Sequence, residues 1–330
     1  MSYDLTPGGR LTLVSGQPEM SQTADYTTGV LYYAPFKSDQ VPLFDGAAWN
    51  CYGFTANALD TIGLSLAGSA AWAANSRRDV YATLENGVPI LTTGPAWPSP
   101  NSLPAARGLV RCNGLWVNGS AISLDKSAAV SLSVPANQAT YLGSINVGAS
   151  AGSLQALFTL GQNRRCDVWN AYNQREVLLG VGQPPISGNI VQWKPDNQYS
   201  TAWKAFNNDP NNSGYYFTGL PQNVSVEYHQ RGFVDSYSAG GACAMIFTVC
   251  KGSLATAVGS QRTYSSDLAG VEMSMSGTAV YKDRSACGLQ QVFMGTGNAN
   301  TLKGVTMWGL TNSPTRAPED THVMWISHMG

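Results

Sequence analysis

Turn dipeptides recur at short intervals along this chain, and the segments between them are too short and too β-branched to make helices. Asp79–Leu84 (DVYATL) and Val88–Thr92 (VPILT) flank Glu85-Asn86-Gly87, where Asn and Gly tolerate the positive φ of a tight hairpin turn. Leu109–Asp125 contains Asn113-Gly114 and Asn118-Gly119, two further candidate turns, and Asp45-Gly46 leads from Val41–Phe44 into Trp49–Phe54. Arg10–Ser15 and Gly29–Ala34 read as strands before them, and Asn189–Lys194, Val224–His229, Ala244–Cys250, Val271–Met275 and Leu302–Trp308 continue the rhythm. Runs of four to eight such residues between turn signals are the mark of strands. The expectation is an all-β chain of antiparallel β-sandwich or jelly-roll-like modules, with short turns and very little helix.

Three stretches depart from that rhythm. Thr55–Ala67 is the only plausible helix, interrupted by Gly63, and Gly94–Pro104 carries four prolines, which suits an irregular surface excursion because proline cannot serve an interior ladder. Gly180–Gly188 (GVGQPPISG) reads as a boundary. The expected organisation is an N-terminal arm or docking segment over 1–28, a β-rich module over 29–182 and a second β-rich module over 183–330. No internal repeat and no heptad pattern is present, so no coiled-coil shaft is expected.

Charge narrows the partners. Only 12% of residues are charged, against roughly 25% in an average soluble domain. The net charge is −1 and no Lys/Arg stripe is present, so no nucleic-acid partner is expected. No long apolar run occurs and membrane insertion is not expected. The first residues, MSYDLTPGGRLTLVSG, lack a basic start followed by an apolar core, so no secretory signal is read there. Six cysteines without a C-x-x-C pair suit buried free thiols in a reducing cytoplasm rather than zinc or a disulfide framework. A chain with so little charge can desolvate large surfaces at low cost, which favours a subunit of an assembly.

Chemistry concentrates in Arg164–Val177, RRCDVWNAYNQREV. Asp167 and Glu176 lie nine residues apart and could face each other across a hairpin, as glycan cleavage by two carboxylates would need. Arg165 and Arg175 beside them would hold both ionised, which favours an ion-paired corner over an acid with a raised pKa. Most other acids, such as Asp45, Asp60, Asp125 and Asp209, sit in candidate turns that an Asx-turn explains. Gly63-Leu64-Ser65-Leu66-Ala67 lacks the second glycine of a nucleophile elbow. His229, His322 and His328 are not at metal-ligand spacing, and no glycine-rich loop opens a helix to cradle phosphate. No catalytic residue, metal or cofactor is therefore assigned. Among the aromatics, Trp193, Trp203, Tyr215 and Tyr216 are candidates for a glycan-binding surface, although strand aromatics more often fill cores and interfaces.

Several segments in order resemble a structural module of tailed-bacteriophage virion proteins. They are Gly9–Leu13 (GRLTL), Leu31–Phe36 (LYYAPF), Leu43–Trp49 (LFDGAAW), Asp79–Ala82 (DVYA), Gly114–Gly119 (GLWVNG) and Tyr141–Ile145 (YLGSI). The most specific is Val168–Asn173 (VWNAYN). The resemblance is close over residues 8–180 and looser beyond, through Gly288 and Trp325–Gly330; the proline-rich stretch departs from it. It implies a virion component exposed on the particle, most commonly a tail fibre or tail tip for host attachment, with a head decoration or head fibre as the alternative. It brings no catalytic residues, and it implies three-fold assembly with itself, contacts to other virion proteins and contact with a host-surface glycan. Assembly would take place in the host bacterial cytoplasm. A glycan depolymerase tailspike is the enzymatic alternative. In this reading Trp49, Asp167, Trp169, Asn170, Tyr172, Asn173 and Arg175 are an architectural signature: asparagines bond backbone groups, Arg175 pairs with Asp167, and Trp169 fills the core.

Overall fold

The structure is a computed structural model. It describes residues 6–54, 64–67, 72–98, 108–127, 130–159 and 165–175, Gly219, and, beyond residue 176, the backbone of the strands named below. Among these residues every element is a strand and every strand pair is antiparallel, so the chain is all-β.

Sixteen strands build the N-terminal half. In chain order they are β1 (Gly9–Thr12), β2 (Tyr26–Thr28), β3 (Val30–Pro35), β4 (Gln40–Phe44), β5 (Trp49–Gly53), β6 (Leu64–Ala67), β7 (Arg77–Glu85) and β8 (Val88–Ala96). Then follow β9 (Leu109–Cys112), β10 (Leu115–Asn118), β11 (Ile122–Ser127), β12 (Val130–Val134), β13 (Ala139–Asn146), β14 (Leu154–Leu157), β15 (Arg165–Cys166) and β16 (Val168–Asn170). An eight-stranded sheet runs β12-β11-β8-β7-β13-β10-β9, with β16 also paired to β13. Smaller sheets, β1-β3-β6, β15-β14-β2 and the β4-β5 hairpin, surround it.

The central strands β7 and β13 are buried on both faces, which is why neither shows a polar/apolar alternation. Val80, Ala82, Leu142 and Ile145 enter the larger core with Leu11, Leu31, Tyr33, Leu43, Trp72 and Leu154. Tyr81, Ala139 and Tyr141 enter a second core with Trp97, Leu124, Val134 and Trp169. The larger core joins residues of β1, β3 and β14 to the big sheet, the two-layer packing of a β-sandwich. Each fully buried aliphatic side chain there contributes about 1.5–3 kcal/mol relative to exposure.

Local chemistry sets the register. Glu85 pairs with Val88 across Asn86 and Gly87, at φ 52° and 79°, and Cys112 pairs with Leu115 across Asn113 and Gly114. In the four-residue β4–β5 turn, Asp45 Oδ1 accepts hydrogen bonds from the backbone N–H of Ala47 and Ala48, both at 2.8 Å.

Other expectations are corrected. Residues 9–28 do not form a separate arm: β1 pairs with β3, β2 pairs with β14, and Leu11 and Leu13 are core residues. Leu64–Ala67 is a strand paired with β3, because its alternate apolar positions serve the sheet edge better than a glycine-broken helix; residues 55–63 lie outside the described residues. The proline-rich excursion begins later than expected. β8 continues through Ala96, with Pro95 at a register shift between the Val80–Thr93 and Arg78–Ala96 pairs, a bulge where a missing N–H costs little. Residues 99–107 are outside the described residues. Asn118 is not a turn residue: it is buried at the end of β10, and its side chain donates to Ser120 O and Pro135 O and accepts from Ala139 N–H. Asp125 lies in β11 and pairs with Arg78 at 2.7 Å instead of closing a turn. Cys51 is exposed rather than buried, and Cys112 is half-buried.

In the C-terminal half, one sheet orders Val177–Val181, Val323–His328, Val224–Ser236, Val305–Leu310 and Ile190–Trp193, with Val271–Tyr281 also paired to Val224–Ser236. A second orders Lys204–Ala205, Gly288–Gly297, Cys243–Lys251 and Arg262–Ser266, with Gly214–Thr218 also on Gly288–Gly297.

Gly143 marks the closest glycine approach to another strand's backbone among the described residues. A Cβ there would lie 2.1 Å from Trp169 O and 2.8 Å from Leu11 Cδ1. Gly143→Ala must push β16 off β13, and the expected cost is about 3 kcal/mol, the upper end for overpacking. A variant that unfolds at the wild-type denaturant midpoint would refute this.

Candidate functional site

The corner Arg165–Arg175 follows from its own residues. β16 pairs with β13 through Gly143–Asn170, Ser144–Trp169 and Ile145–Val168, which drives Trp169 into the second core and Val168 into the first. Asn170 then copies a strand partner with its side chain: Oδ1 accepts the Leu11 N–H at 2.6 Å and Nδ2 donates to Leu11 O at 3.1 Å. Asn173 turns the chain at φ 53°, a conformation asparagine enters more readily than most residues. Its Nδ2 donates to Pro7 O and Gly9 O. The corner thereby clamps β1 from the far end of the module.

Asp167 is fully buried. Its Oδ1 accepts from Arg165 Nη2 at 2.7 Å, Arg165 Nε at 3.1 Å and Asn146 Nδ2 at 2.7 Å, and its Oδ2 accepts from Gln155 N–H at 3.1 Å. The expected Asp167–Arg175 pair does not form. Arg165, two residues away, reaches the carboxylate, and Arg175 pairs with Glu19 at 3.3 Å. Nor is the acid held below its ordinary range as expected. Burial pushes the Asp167 carboxyl up, against the opposing pull of Arg165, Asn146 and the Gln155 N–H. Glu176, the other half of the imagined carboxylate pair, lies outside the described residues.

The remaining signature residues sit close by or apart. The Tyr172 hydroxyl accepts the Trp116 N–H at 2.8 Å, and burial raises its pKa to about 12. Trp49 lies elsewhere, on β5, with its ring 5.5 Å from that of Phe44. Of the glycan candidates, Trp193 ends a strand opposite Met307, and Tyr215 and Tyr216 pair with Gln291 and Gln290. Trp203, Asp60, Asp209 and His322 lie outside the described residues.

A second buried polar network escaped the sequence reading. Asp79 Oδ1 accepts from Ser144 Oγ at 2.7 Å and from Trp97 Nε1 at 3.2 Å, and Ser144 Oγ lies 2.7 Å from Tyr141 OH. The one available signal was weak: an aspartate, normally depleted in strands, at the head of the predicted strand Asp79–Leu84 and directly after Arg77-Arg78. Gly219 of the C-terminal half is buried against the same group: a Cβ there would lie 2.4 Å from Ser144 Oγ and 2.6 Å from Trp169 Cε3. Among the described residues no group of three His, Cys, Asp or Glu side chains is placed to hold a metal ion. Cys166 is a poor nucleophile, its thiol raised to about 11 chiefly by burial.

No family model and no curated protein matches the sequence. Among solved structures, an insecticidal delta-endotoxin of Bacillus thuringiensis aligns at 8% identity and a TM-score of 0.21, covering 98% of this chain and 52% of the toxin chain. A structure of the infectious bursal disease virus Gt strain aligns at 11% identity and a TM-score of 0.24, covering 98% of this chain and 76% of that one. The chain spans about half the length of the toxin.

Proposed function

We propose that this chain is a non-enzymatic structural protein of a tailed-bacteriophage virion, exposed on the particle as a tail-fibre or tail-tip component and assembled as a homotrimer. The observation that carries the reading is the state of the most reactive-looking stretch. Asp167 is fully buried and committed to four donors, and the asparagines beside it are spent on the backbone of β1. A general acid or nucleophile must reach its substrate, so the chemistry of this corner serves architecture. The resemblance of its Val168–Asn173 stretch to virion modules is the second support. Self-association is supported by low charge and by the sheet's two terminal strands, β9 and β12, which carry the exposed valines Val110 and Val130; that it is three-fold is what the resemblance implies. Unprotected apolar edges invite a neighbouring chain. Repeated copies would combine weak glycan contacts into firm attachment through effective concentration.

Incubation with capsule or lipopolysaccharide of a host bacterium is the direct test. The expected result is binding without new reducing ends. Release of reducing ends, lost on replacing Asp167 or Glu176, would make the protein a depolymerase. Mass measurement of the purified protein is expected to give three copies, and a strict monomer at micromolar concentration would remove the trimer. Antibody labelling of virions then separates tail from head.

A further inference from the structure

Arg10 is an unusual residue for the middle of a core strand. Gly9–Thr12 is buried throughout, and Arg10 is only 6% exposed. Among the described residues only Nη1 of its guanidinium has an acceptor, the carbonyl of Asn173; Nε is buried without a partner. The group also lies over the Phe36 ring, 5.2 Å from its centroid. Burying a charge with one strong hydrogen bond is costly unless an opposite charge accompanies it.

What accompanies it is another cation. Arg10 and Arg175 line the same cavity of about 50 Å³, together with Met20, Cys166, Trp169 and Gln174. Arg175 donates to Met20 O at 3.4 Å and faces Glu19 at 3.3 Å, both long contacts, and Glu19 is half exposed. Among the described residues of this group, one exposed carboxylate therefore stands against two guanidinium charges. The Cys166 thiol is protonated at neutral pH and adds no charge. Desolvation, and then repulsion from Arg175, bring Arg10 down to about 10. Trp169 also lines the cavity, and its buried indole N–H has no acceptor.

We propose that this cavity is a binding site for a compact oxyanion, with Arg10 and Arg175 as its charged donors. The volume suits a head group of a few atoms, and an acidic sugar would present its carboxylate to the two guanidinium groups. Planar guanidinium forks suit carboxylate and phosphate alike. The site does not depend on the virion reading, since its argument is charge balance inside the N-terminal half.

The experiment is calorimetric titration of the full chain with inorganic phosphate, acetate and glucuronate, each against sodium chloride at matched ionic strength. Saturable binding of at least one oxyanion is expected, weakened about tenfold in Arg175→Gln, the loss of one charge-assisted hydrogen bond. Stronger binding of phosphate would mark a phosphate source, and stronger binding of acetate or glucuronate a carboxylate source; either supports the site. Crystals of the wild-type chain grown with selenate provide a readout that needs no variant, with an anomalous peak expected between Arg10 and Arg175. No saturable binding of any of the three, affinity unchanged in Arg175→Gln, or selenate absent from the cavity would each overturn the proposal.

Discussion

Trp169→Ala is expected to cost about 3–5 kcal/mol of stability, the range for truncating a buried large aromatic. The side chain is 2% exposed in the second core, its ring centroid 6.3 Å from that of Tyr141. Its backbone carbonyl sits against Gly143 and its ring edge against Gly219, so neighbours on two sides are already at closest approach. They cannot collapse into the space without moving β13. The melting transition should fall by roughly 10 °C for a loss of that size. Trp169→Phe should recover most of the loss, because the indole N–H makes no hydrogen bond that phenylalanine would forfeit. A Trp169→Ala protein that melts like wild type but no longer binds host glycan would reverse the assignment of this residue to architecture.

Asp167→Ala is expected to cost about 3 kcal/mol, the lower end for breaking a buried ion pair. It strands Asn146 Nδ2 and the Gln155 N–H without their acceptor, while Arg165, partly exposed, recovers some solvation. Asp167→Asn should cost less, since the amide oxygen still accepts from Arg165 and Asn146. It also removes a titration. Because burial raises the Asp167 carboxyl above its ordinary 3.8, the folded state holds that proton to higher pH than the unfolded state. The group's contribution is therefore fully present below the ordinary value and lost as pH rises through the raised one. Unfolding free energies of wild type minus Asp167→Asn should fall across that interval. A difference that rises with pH would show that Arg165 outweighs burial.

The fold class was legible because it depends on local chemistry. Asn86-Gly87 and Asn113-Gly114 favour positive φ whatever surrounds them, and Asp45 caps its own turn, so the hairpins could be placed from the residues alone. The all-β reading, the strand positions around them and the chemical density of Arg164–Val177 followed. What tertiary structure alone decided were the choices between partners of equal chemical merit. Asp167 could pair with Arg165 or Arg175; in the fold the first reaches its carboxylate, and the second meets Glu19 instead. Asn118-Gly119 looks like its neighbour Asn113-Gly114, yet burial at the end of β10 turned its amide inward to tie three backbone groups. Residues 1–28 read as an arm although Arg10–Ser15 reads as a strand, because nothing in that stretch names its partners; pairing with β3 and β14, and contact with Asn170 and Asn173 some 160 residues away along the chain, make residues 9–28 part of the module. Turn chemistry acts within a few residues and is written in them. Burial, and the charge balance that leaves Arg10 and Arg175 around one cavity, come from distant segments meeting, and no window of sequence contains both sides of that meeting.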